Sequence, residues 1–324
     1  MADTMSTPVE LVSIQRGLAL VEAHLRDSER PEALLARHEA GIARQEDKAA
    51  HDVAIAAILN AQHDDGSWGG GLLDTAEALL QLHELRNASP GRRTTRGRTQ
   101  IARALDWIRS RRGMPGRFSE GCDPQRHELS VCHHFLAGFF SPAPPEPPLE
   151  ELRLACGAPV VGDRNARLAA SCVALQAELR WKRYGRDVDL HLEGLRRIIA
   201  LRQEHPGLVS PPAFVAALAA VAAAPGKENR QAAANGIAML IASQRADGTW
   251  PDADLFHVLE LLERTARGRR VPAALDAALR RAAVHLAASL QEDGTWGQQA
   301  GTRRTLIGWR ALRYAAGAQE KKSA

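Results

Sequence analysis

Gln62-His-Asp-Asp65-Gly66-Ser67-Trp68 and Gln244-Arg-Ala-Asp247-Gly248-Thr249-Trp250 share one pattern, and Gln291-Glu-Asp293-Gly294-Thr295-Trp296 repeats it with Gln displaced by one place. Each stretch follows an amphipathic helical segment and precedes another one. Asp-Gly permits a tight turn after a helix, and the Trp ring can pack beneath that turn while its indole N–H finds an acceptor. The pattern therefore predicts a repeated helix–turn–helix unit.

Degenerate copies of the turn fill the intervals between these three. Residues 203–209 keep Gln and Gly and carry Val209 in place of Trp, and residues 111–118 carry Phe118 in that place. A weaker turn at residues 157–163 lies where one more copy is expected. The anchors then recur about every 45 residues, which predicts six hairpins.

Six hairpins of this length predict an all-α fold, an α/α toroid in which the second helix of each pair is inner and the first is outer. The inner helices are predicted at 72–87, 126–140, 164–184, 211–224, 252–267 and 301–316. The outer helices are predicted at 47–62, 99–111, 149–156, 189–204, 228–245 and 273–291. Residues 47–316 form the toroid in this interpretation, 1–46 an N-terminal helical extension that packs outside the ring, and 317–324 a flexible tail.

The composition is that of a soluble globular protein, with 45% hydrophobic and 25% charged residues in 324. The longest apolar run, residues 213–224, is too short to span a bilayer, and the N-terminus has no secretory pattern. Four cysteines without a Cys-x-x-Cys motif argue against a disulfide framework. We therefore expect a cytoplasmic protein. The net charge is +4 and the bases are spread along the chain, so no nucleic-acid partner is expected.

The Gln-x-x-Asp-Gly-x-Trp turn resembles the QW motif of squalene–hopene cyclases, class II diterpene cyclases and protein prenyltransferase β-subunits. These proteins share an α/α toroid, and the resemblance covers about residues 47–316. It implies a central cavity that holds a hydrophobic small molecule, an isoprenoid or a polyene. We expect no cofactor in this chain, and peripheral contact with a membrane is compatible with the sequence.

The catalytic motifs of those families are incomplete here. Class II cyclases start the reaction by protonation through Asp-x-Asp-Asp, commonly followed by Thr-Ala. The nearest match is Gly71-Leu72-Leu73-Asp74-Thr75-Ala76, where Leu73 occupies the position of the proton donor. Asp187-Val-Asp189-Leu190 lacks the fourth residue. Protein prenyltransferases use zinc bound by Asp-x-Cys and a distant His, and the sequence has no Asp-x-Cys.

One face of the helix predicted at 72–87 is polar and carries Asp74, Glu77 and Gln81. The apolar side of an inner helix is covered by outer helices, so this polar face is expected to point into the cavity. A carboxylic acid with reduced solvation has a raised pKa and can donate a proton. Asp74 and Glu77 are therefore candidate acids, and Gln81 is a candidate substrate contact. The alternative is a polar face that meets water because the ring is open.

The helix predicted at 126–140 groups His127, Ser130 and His134 on one face. The two histidines are candidate acid–base residues, and Ser130 is a candidate substrate contact. The run from Cys122 to His134 is rich in metal-ligating types, but its spacing is not His-Glu-x-x-His. We therefore predict no metal, with zinc as the alternative.

Asp254 and His257 lie about one turn apart near the start of the helix predicted at 252–267. With the groups above they predict an Asp/Glu/His acid–base cluster. Arg303 and Arg304 lie at the start of the last inner helix, where helix N-termini favour an anion such as diphosphate. They are candidate substrate contacts, and solvent-exposed arginines are the alternative.

The first functional interpretation is an unconventional class II-like enzyme, a lyase or isomerase that cyclises or isomerises an isoprenoid by acid–base chemistry. Aromatic residues are only 4% of the chain, which is few for stabilising carbocations. The second interpretation is a non-enzymatic binding or partner scaffold, favoured by the incomplete catalytic motifs. The third is a carbohydrate-active toroid with paired carboxylates.

Overall fold

The computed structural model describes residues 8–88, 97–111, 150–267, 271–297 and 301–323. Within these ranges the chain forms twelve helices and one antiparallel hairpin of two strands, β1 Glu151–Arg153 and β2 Pro159–Val161. The helices are α1 Pro8–Arg26, α2 Pro31–Ala40, α3 Asp47–Asn60, α4 Leu72–Ala88, α5 Arg98–Ser110, α6 Asp163–Arg180, α7 Arg186–Leu201, α8 Pro211–Ala223, α9 Lys227–Ala242, α10 Leu255–Ala266, α11 Ala273–Ser289 and α12 Gly301–Ser323.

Among the described residues, each predicted helix but one is present, with ends that shift by a few residues. The exception is the outer helix predicted at 149–156, which is wrong because Glu151–Arg153 pairs with Pro159–Val161. Gly157 and Gly162 have φ angles of +79° and +86°, which interrupt a helix, and the β-branched pair before Gly162 favours a strand. The helix predicted at 126–140 lies outside the described residues.

The three Asp-Gly turns use the same hydrogen bonds. In each, the indole Nε1 of the Trp donates to a carbonyl ten residues earlier, at 2.6, 2.8 and 3.0 Å. The pairs are Trp68 with Ile58, Trp250 with Leu240, and Trp296 with Leu286. In each turn the Asp carboxylate also accepts from the N–H and the hydroxyl of the residue two places later. The turns are therefore one structural device used three times.

The Gln side chain joins two of these turns to the next outer helix. Gln244 Nε2 donates to the carbonyl of Gly248 in its own turn and to Ala278 of α11. Gln62 does the same with Gly66 and with Gln100 of α5. Each amide group therefore closes its turn and fixes the helix that packs against it.

The glycine of each turn lets that helix approach closely. Gly248 has φ +89°, and an added Cβ would lie 2.4 Å from the Arg281 carbonyl oxygen of α11. Gly294 has φ +79°, and its Cβ would lie 2.7 Å from the Leu20 carbonyl oxygen of α1. Helix α1 therefore packs against the third turn in the same way that α11 packs against the second turn.

The described residues divide into two compact units. The first takes the described residues of 1–54, 155–158 and 237–324, and the second takes those of 55–154 and 159–236. In the first unit α1 packs against α11 and α12, and α2 packs against α12. The buried Arg37 donates to the carbonyls of Leu25 and Ser28 and pairs with Asp47 at 2.6 Å, which joins the end of α1 to α2 and to the start of α3.

In the second unit α6 packs between α4 and α8. Helix α6 buries every side chain from Leu168 to Leu179, and α8 buries every side chain from Ala213 to Leu218, so these stretches belong to the core of that unit. Trp181, which follows α6, donates its indole N–H to the Leu79 carbonyl of α4 at 3.0 Å. The degenerate turn after α7 is held by Arg202, whose guanidinium donates to the carbonyls of Pro206 and Val209.

The domain boundaries predicted near the two ends of the chain stay predictions. The described part of residues 1–46 lies in the same compact unit as the C-terminal helices. Helix α12 continues to Ser323, through most of the segment for which a flexible tail is predicted. No helix within the described ranges has the length and apolar character needed to cross a membrane. The cytoplasmic location stays a prediction.

Replacing Gly248 by Ala should lower the free energy of unfolding by about 2–4 kcal/mol, because a left-handed backbone and a steric clash both oppose the methyl group. Gly41 is a matched control, since it has φ +76° and no described atom within 4 Å of an added Cβ. Gly41→Ala should cost about 1 kcal/mol. Urea unfolding measures both, and equal losses would contradict the close approach of α11.

Trp250 is 3% exposed, and Trp250→Ala should lower the free energy of unfolding by about 3–5 kcal/mol. Tyr184, which is 52% exposed, serves as the control, and Tyr184→Ala should leave the melting temperature nearly unchanged. Thermal unfolding measures both. An unchanged melting temperature for Trp250→Ala would show that the indole does not support its turn.

Candidate active site

Four of the predicted site residues come together in the first unit. Asp254 precedes α10, His257 lies in its first turn, and Arg303 and Arg304 lie in the first turn of α12. Helices α10 and α12 pack against each other. With Glu260, one turn further along α10, these residues form what we call the α10–α12 cluster.

Asp254 caps α10 and also binds an arginine. Its Oδ1 accepts from the backbone N–H of Phe256 at 2.9 Å and of His257 at 3.2 Å, as an N-cap aspartate does. Its Oδ2 accepts from Arg304 Nη2 at 2.7 Å. Both oxygens of the Asp254 carboxylate therefore accept hydrogen bonds, one set from the start of α10 and one from α12.

Glu260 is a member of the cluster that the sequence did not reveal. Its Oε1 accepts from Arg264 Nη2 at 2.8 Å within α10, and Arg303 of α12 donates to the same oxygen. Its position three residues after His257 places it on the same face of α10, which is the one signal that could have found it. Glu260 therefore links the two helices by a charge-assisted hydrogen bond.

His257 is the buried imidazole of the cluster, at 7% exposure. Its Nδ1 has no hydrogen-bond partner in the part of the chain that the structure describes. Burial lowers the pKa of His257 to about 4, although Glu260 and Asp254 act in the opposite direction. The imidazole is therefore neutral at neutral pH, and it can accept a proton or take part in a hydrogen bond.

Arg304 extends the cluster to the loop between β1 and β2. Its Nε donates to the Cys156 carbonyl at 2.8 Å, and its guanidinium lies 4.9 Å from the centre of the Phe256 ring. Burial raises the pKa of the Cys156 thiol above its usual range, so that thiol is not an activated nucleophile. Residues 155–158, which belong to the first unit, thus supply a backbone contact to the cluster.

Three further predicted residues lie on α4 in the second unit. Asp74 is exposed, and Glu77 and Gln81 are half-buried. A methyl group built on Gly69 would lie 2.5 Å from Asp74 Oδ2, so this carboxylate lies over the glycine-rich loop that precedes α4. The reduced solvation expected of a proton donor is not found at Asp74 among the described residues. Its catalytic role stays a prediction.

His127, Ser130 and His134 lie outside the described residues, as does the segment from Cys122 for which zinc is the alternative. Within the described ranges, no group of three or more His, Cys, Asp or Glu side chains is placed to hold a metal ion. The predicted absence of a metal stays a prediction.

The chain is similar over most of its length to solved type II terpene cyclases. A structure of MstE from Scytonema with its substrate geranylgeranyl dihydroxybenzoate matches 95% of this chain and 99% of that one, with a TM-score of 0.54 and 14% identity. A structure of MstE with its product merosterolic acid A matches 96% of this chain and 99% of that one, with a TM-score of 0.53 and 13% identity. The chain has the terpene cyclase fold. The predicted all-α fold class is thereby confirmed, and at these identities the likeness establishes the fold alone.

Two further comparisons bear on the same fold. A crystal structure of a protein from Actinoplanes matches 95% of this chain and 99% of that one, with a TM-score of 0.52 and 16% identity. Two uncharacterized proteins match a short segment of the sequence with 39% identity. They are y4kT of Sinorhizobium fredii, over 66 residues, and blr2149 of Bradyrhizobium diazoefficiens, over 67 residues. The matched segment spans 19% of this chain and 13% of each relative. No family model matches the sequence.

The lowered pKa of His257 predicts how stability depends on pH. The pKa is about 4 in the folded chain and 6.5 when unperturbed, so the unfolded chain takes up a proton first. The neutral imidazole of His257 makes its full contribution to the free energy of unfolding above pH 6.5. This contribution, at most about 3 kcal/mol, is lost as the pH falls towards 4. Urea unfolding between pH 7.5 and 4.5 measures this loss.

The matched variants are His257→Gln and, at an exposed position, His205→Gln. His257→Gln should be less sensitive to acid than the parent, and His205→Gln should keep the parent's pH dependence. The buried His51, whose pKa burial also lowers, contributes in the same direction to all three proteins. The same slope in His257→Gln and the parent would contradict a buried, neutral His257.

Proposed function

We propose that this chain binds an isoprenoid or another polyene and converts it by proton-initiated cyclisation or isomerisation. The observation that carries the proposal is the likeness over 95% of the chain to MstE, whose structures hold geranylgeranyl dihydroxybenzoate and merosterolic acid A. The α10–α12 cluster supports it, because it places a buried base and paired charges on one pair of helices.

The reaction adds a proton at one end of the polyene and removes one from the final carbocation, so the product is an isomer of the substrate. His257 is the candidate for accepting the second proton, because its imidazole is neutral. Asp254 is the candidate for holding Arg304 and the start of α10 in place. Asp74 and Glu77 are the candidates for the first proton.

The remaining predicted residues have supporting roles in this proposal. His127 and His134 are further acid–base candidates, and Gln81 and Ser130 are candidate substrate contacts. Arg303 and Arg304, which pair with Glu260 and Asp254, are candidate substrate contacts as well. The lyase or isomerase class follows from the reaction and is part of the proposal.

The test uses geranylgeranyl dihydroxybenzoate, the substrate of the structural neighbour. The purified chain should convert it to a product of unchanged mass with fewer olefinic protons, detected by mass spectrometry and NMR. Asp74→Asn should keep the fold and lower the rate by about 100-fold or more, the contribution of a general acid. Asp189→Asn, which changes an exposed carboxyl on α7, should leave the rate unchanged.

Other outcomes have definite meanings. Tight binding without conversion would favour the non-enzymatic scaffold. If Asp74→Asn loses stability while its folded fraction keeps full activity, Asp74 supports the start of α4 and the acid lies elsewhere. If the chain neither binds this polyene nor carries a lipid detected by native mass spectrometry, the proposal is wrong.

A further inference from the structure

The loop between Trp68 and α4 contains three consecutive glycines, and the first two have left-handed backbones. Gly69 has φ +61° and Gly70 has φ +76°. The turn itself does not require a glycine after the tryptophan, because Pro251 follows Trp250 in the second turn, which makes the same indole hydrogen bond. The three glycines therefore meet a requirement that the second turn does not share.

The side chain of Asp74 accounts for that requirement. A methyl group built on Gly69 would lie 2.5 Å from Oδ2, 2.8 Å from Cγ and 2.9 Å from Cβ of Asp74, all shorter than the contacts that non-bonded atoms make. A methyl group on Gly71 would meet the same Oδ2 at 2.9 Å. A methyl group on Gly70 would have no described atom within 4 Å. The Asp74 side chain thus occupies the space that the missing side chain of Gly69 leaves.

Thr75 fixes the loop over which this carboxylate lies. Its side chain is buried, and its Oγ1 accepts from the Trp68 N–H at 3.0 Å and donates to the Gly71 carbonyl at 2.8 Å. One hydroxyl group therefore ties both ends of the segment that contains Gly69. Since Thr75 follows Asp74 directly in α4, the loop and the carboxylate are held by the same turn of helix.

We propose that Gly69 is a positioning residue for Asp74: its missing side chain provides the seat of the carboxylate, and Thr75 holds that seat in place. The inference rests on the proposed function, in which Asp74 is a candidate for the first proton. A general acid acts within hydrogen-bond distance of the atom that it protonates, and a displacement of about 1 Å can lower the rate about 100-fold. The seat therefore sets the direction from which Asp74 gives its proton.

The first experiment compares Gly69→Ala with Gly70→Ala. Both place a methyl group on a left-handed backbone, but only the first meets Asp74. With geranylgeranyl dihydroxybenzoate, Gly69→Ala should lower kcat about tenfold or more and leave KM nearly unchanged, because a misplaced acid acts in the chemical step. Gly70→Ala should keep the parent's kcat. In an Asp74→Asn background, Gly69→Ala should cause no further loss of kcat, since the group that it displaces is already gone.

The second experiment measures the seat without any turnover. Asp74 is exposed, so its side chain can rotate away from an added methyl group, and a small shift of the loop relieves the contact with its Cβ. Crystal structures should show the carboxylate over residue 69 in the parent and in Gly70→Ala. In Gly69→Ala the carboxylate should be displaced by about 1 Å or more.

The third experiment tests the hydroxyl group that holds the loop, and it does not depend on whether Gly69→Ala folds. Thr75→Val has nearly the shape of threonine but lacks the hydroxyl group, so it should lower kcat with little change in KM. Thr75→Ser keeps the hydroxyl group and should restore most of kcat. Full kcat in a folded Thr75→Val would overturn the inference.

The remaining outcomes separate the inference from the proposed function. If the parent converts the polyene and Asp74→Asn does not, equal kcat values for Gly69→Ala and Gly70→Ala would overturn the inference alone. An unmoved carboxylate in the crystal structure of Gly69→Ala would overturn it as well. A parent that converts no polyene would reject the proposed function, and a carboxylate displaced in Gly69→Ala but not in Gly70→Ala would still support the seat.

Discussion

The hydrogen bond from each turn tryptophan to the carbonyl ten residues earlier is the contact on which the fold depends. The last four carbonyls of an α-helix have no partner within the helix. Leu240 and Leu286 lie among these carbonyls at the ends of α9 and α11, and Ile58 lies there at the end of α3. The indole therefore ends the outer helix, buries its own N–H and fixes the reversal of the chain in a single contact.

The turn needs a second helix to pack against, and this requirement accounts for the position of the N-terminus in the first unit. The turn at Gly294 meets the Leu20 carbonyl of α1, just as the turn at Gly248 meets Arg281 of α11. Helix α1 also lies close to α11 and α12 at Gly17, where an added Cβ would lie 3.6 Å from both Ala287 and Leu312, an ordinary contact distance. Segments from opposite ends of the sequence are thus held together by the contact that joins neighbouring hairpins elsewhere.

The helices and turns could be predicted because their signals are local: helical periodicity, Asp-Gly and a following Trp. The hairpin β1–β2 could not, because two three-residue strands are stabilised by pairing with each other. In the degenerate turn after α7 the sequence indicates Gln203, whereas the guanidinium of Arg202 makes the bonds. In the cluster, Asp254 and His257 follow from helical spacing. The pairing of Glu260 could not be predicted, because its partner Arg303 lies 43 residues away on another helix.

The pairing within the cluster also separates two chemical tasks. Asp254 and Glu260 each accept hydrogen bonds from arginine and so join α10 to α12, whereas burial lowers the pKa of His257 to about 4, so its neutral imidazole can accept a proton but is not a source of the first one at neutral pH. A proton-initiated reaction therefore needs an acid outside α10 and α12. In the proposed reaction, α10 therefore serves the final deprotonation through His257, and initiation belongs to another helix.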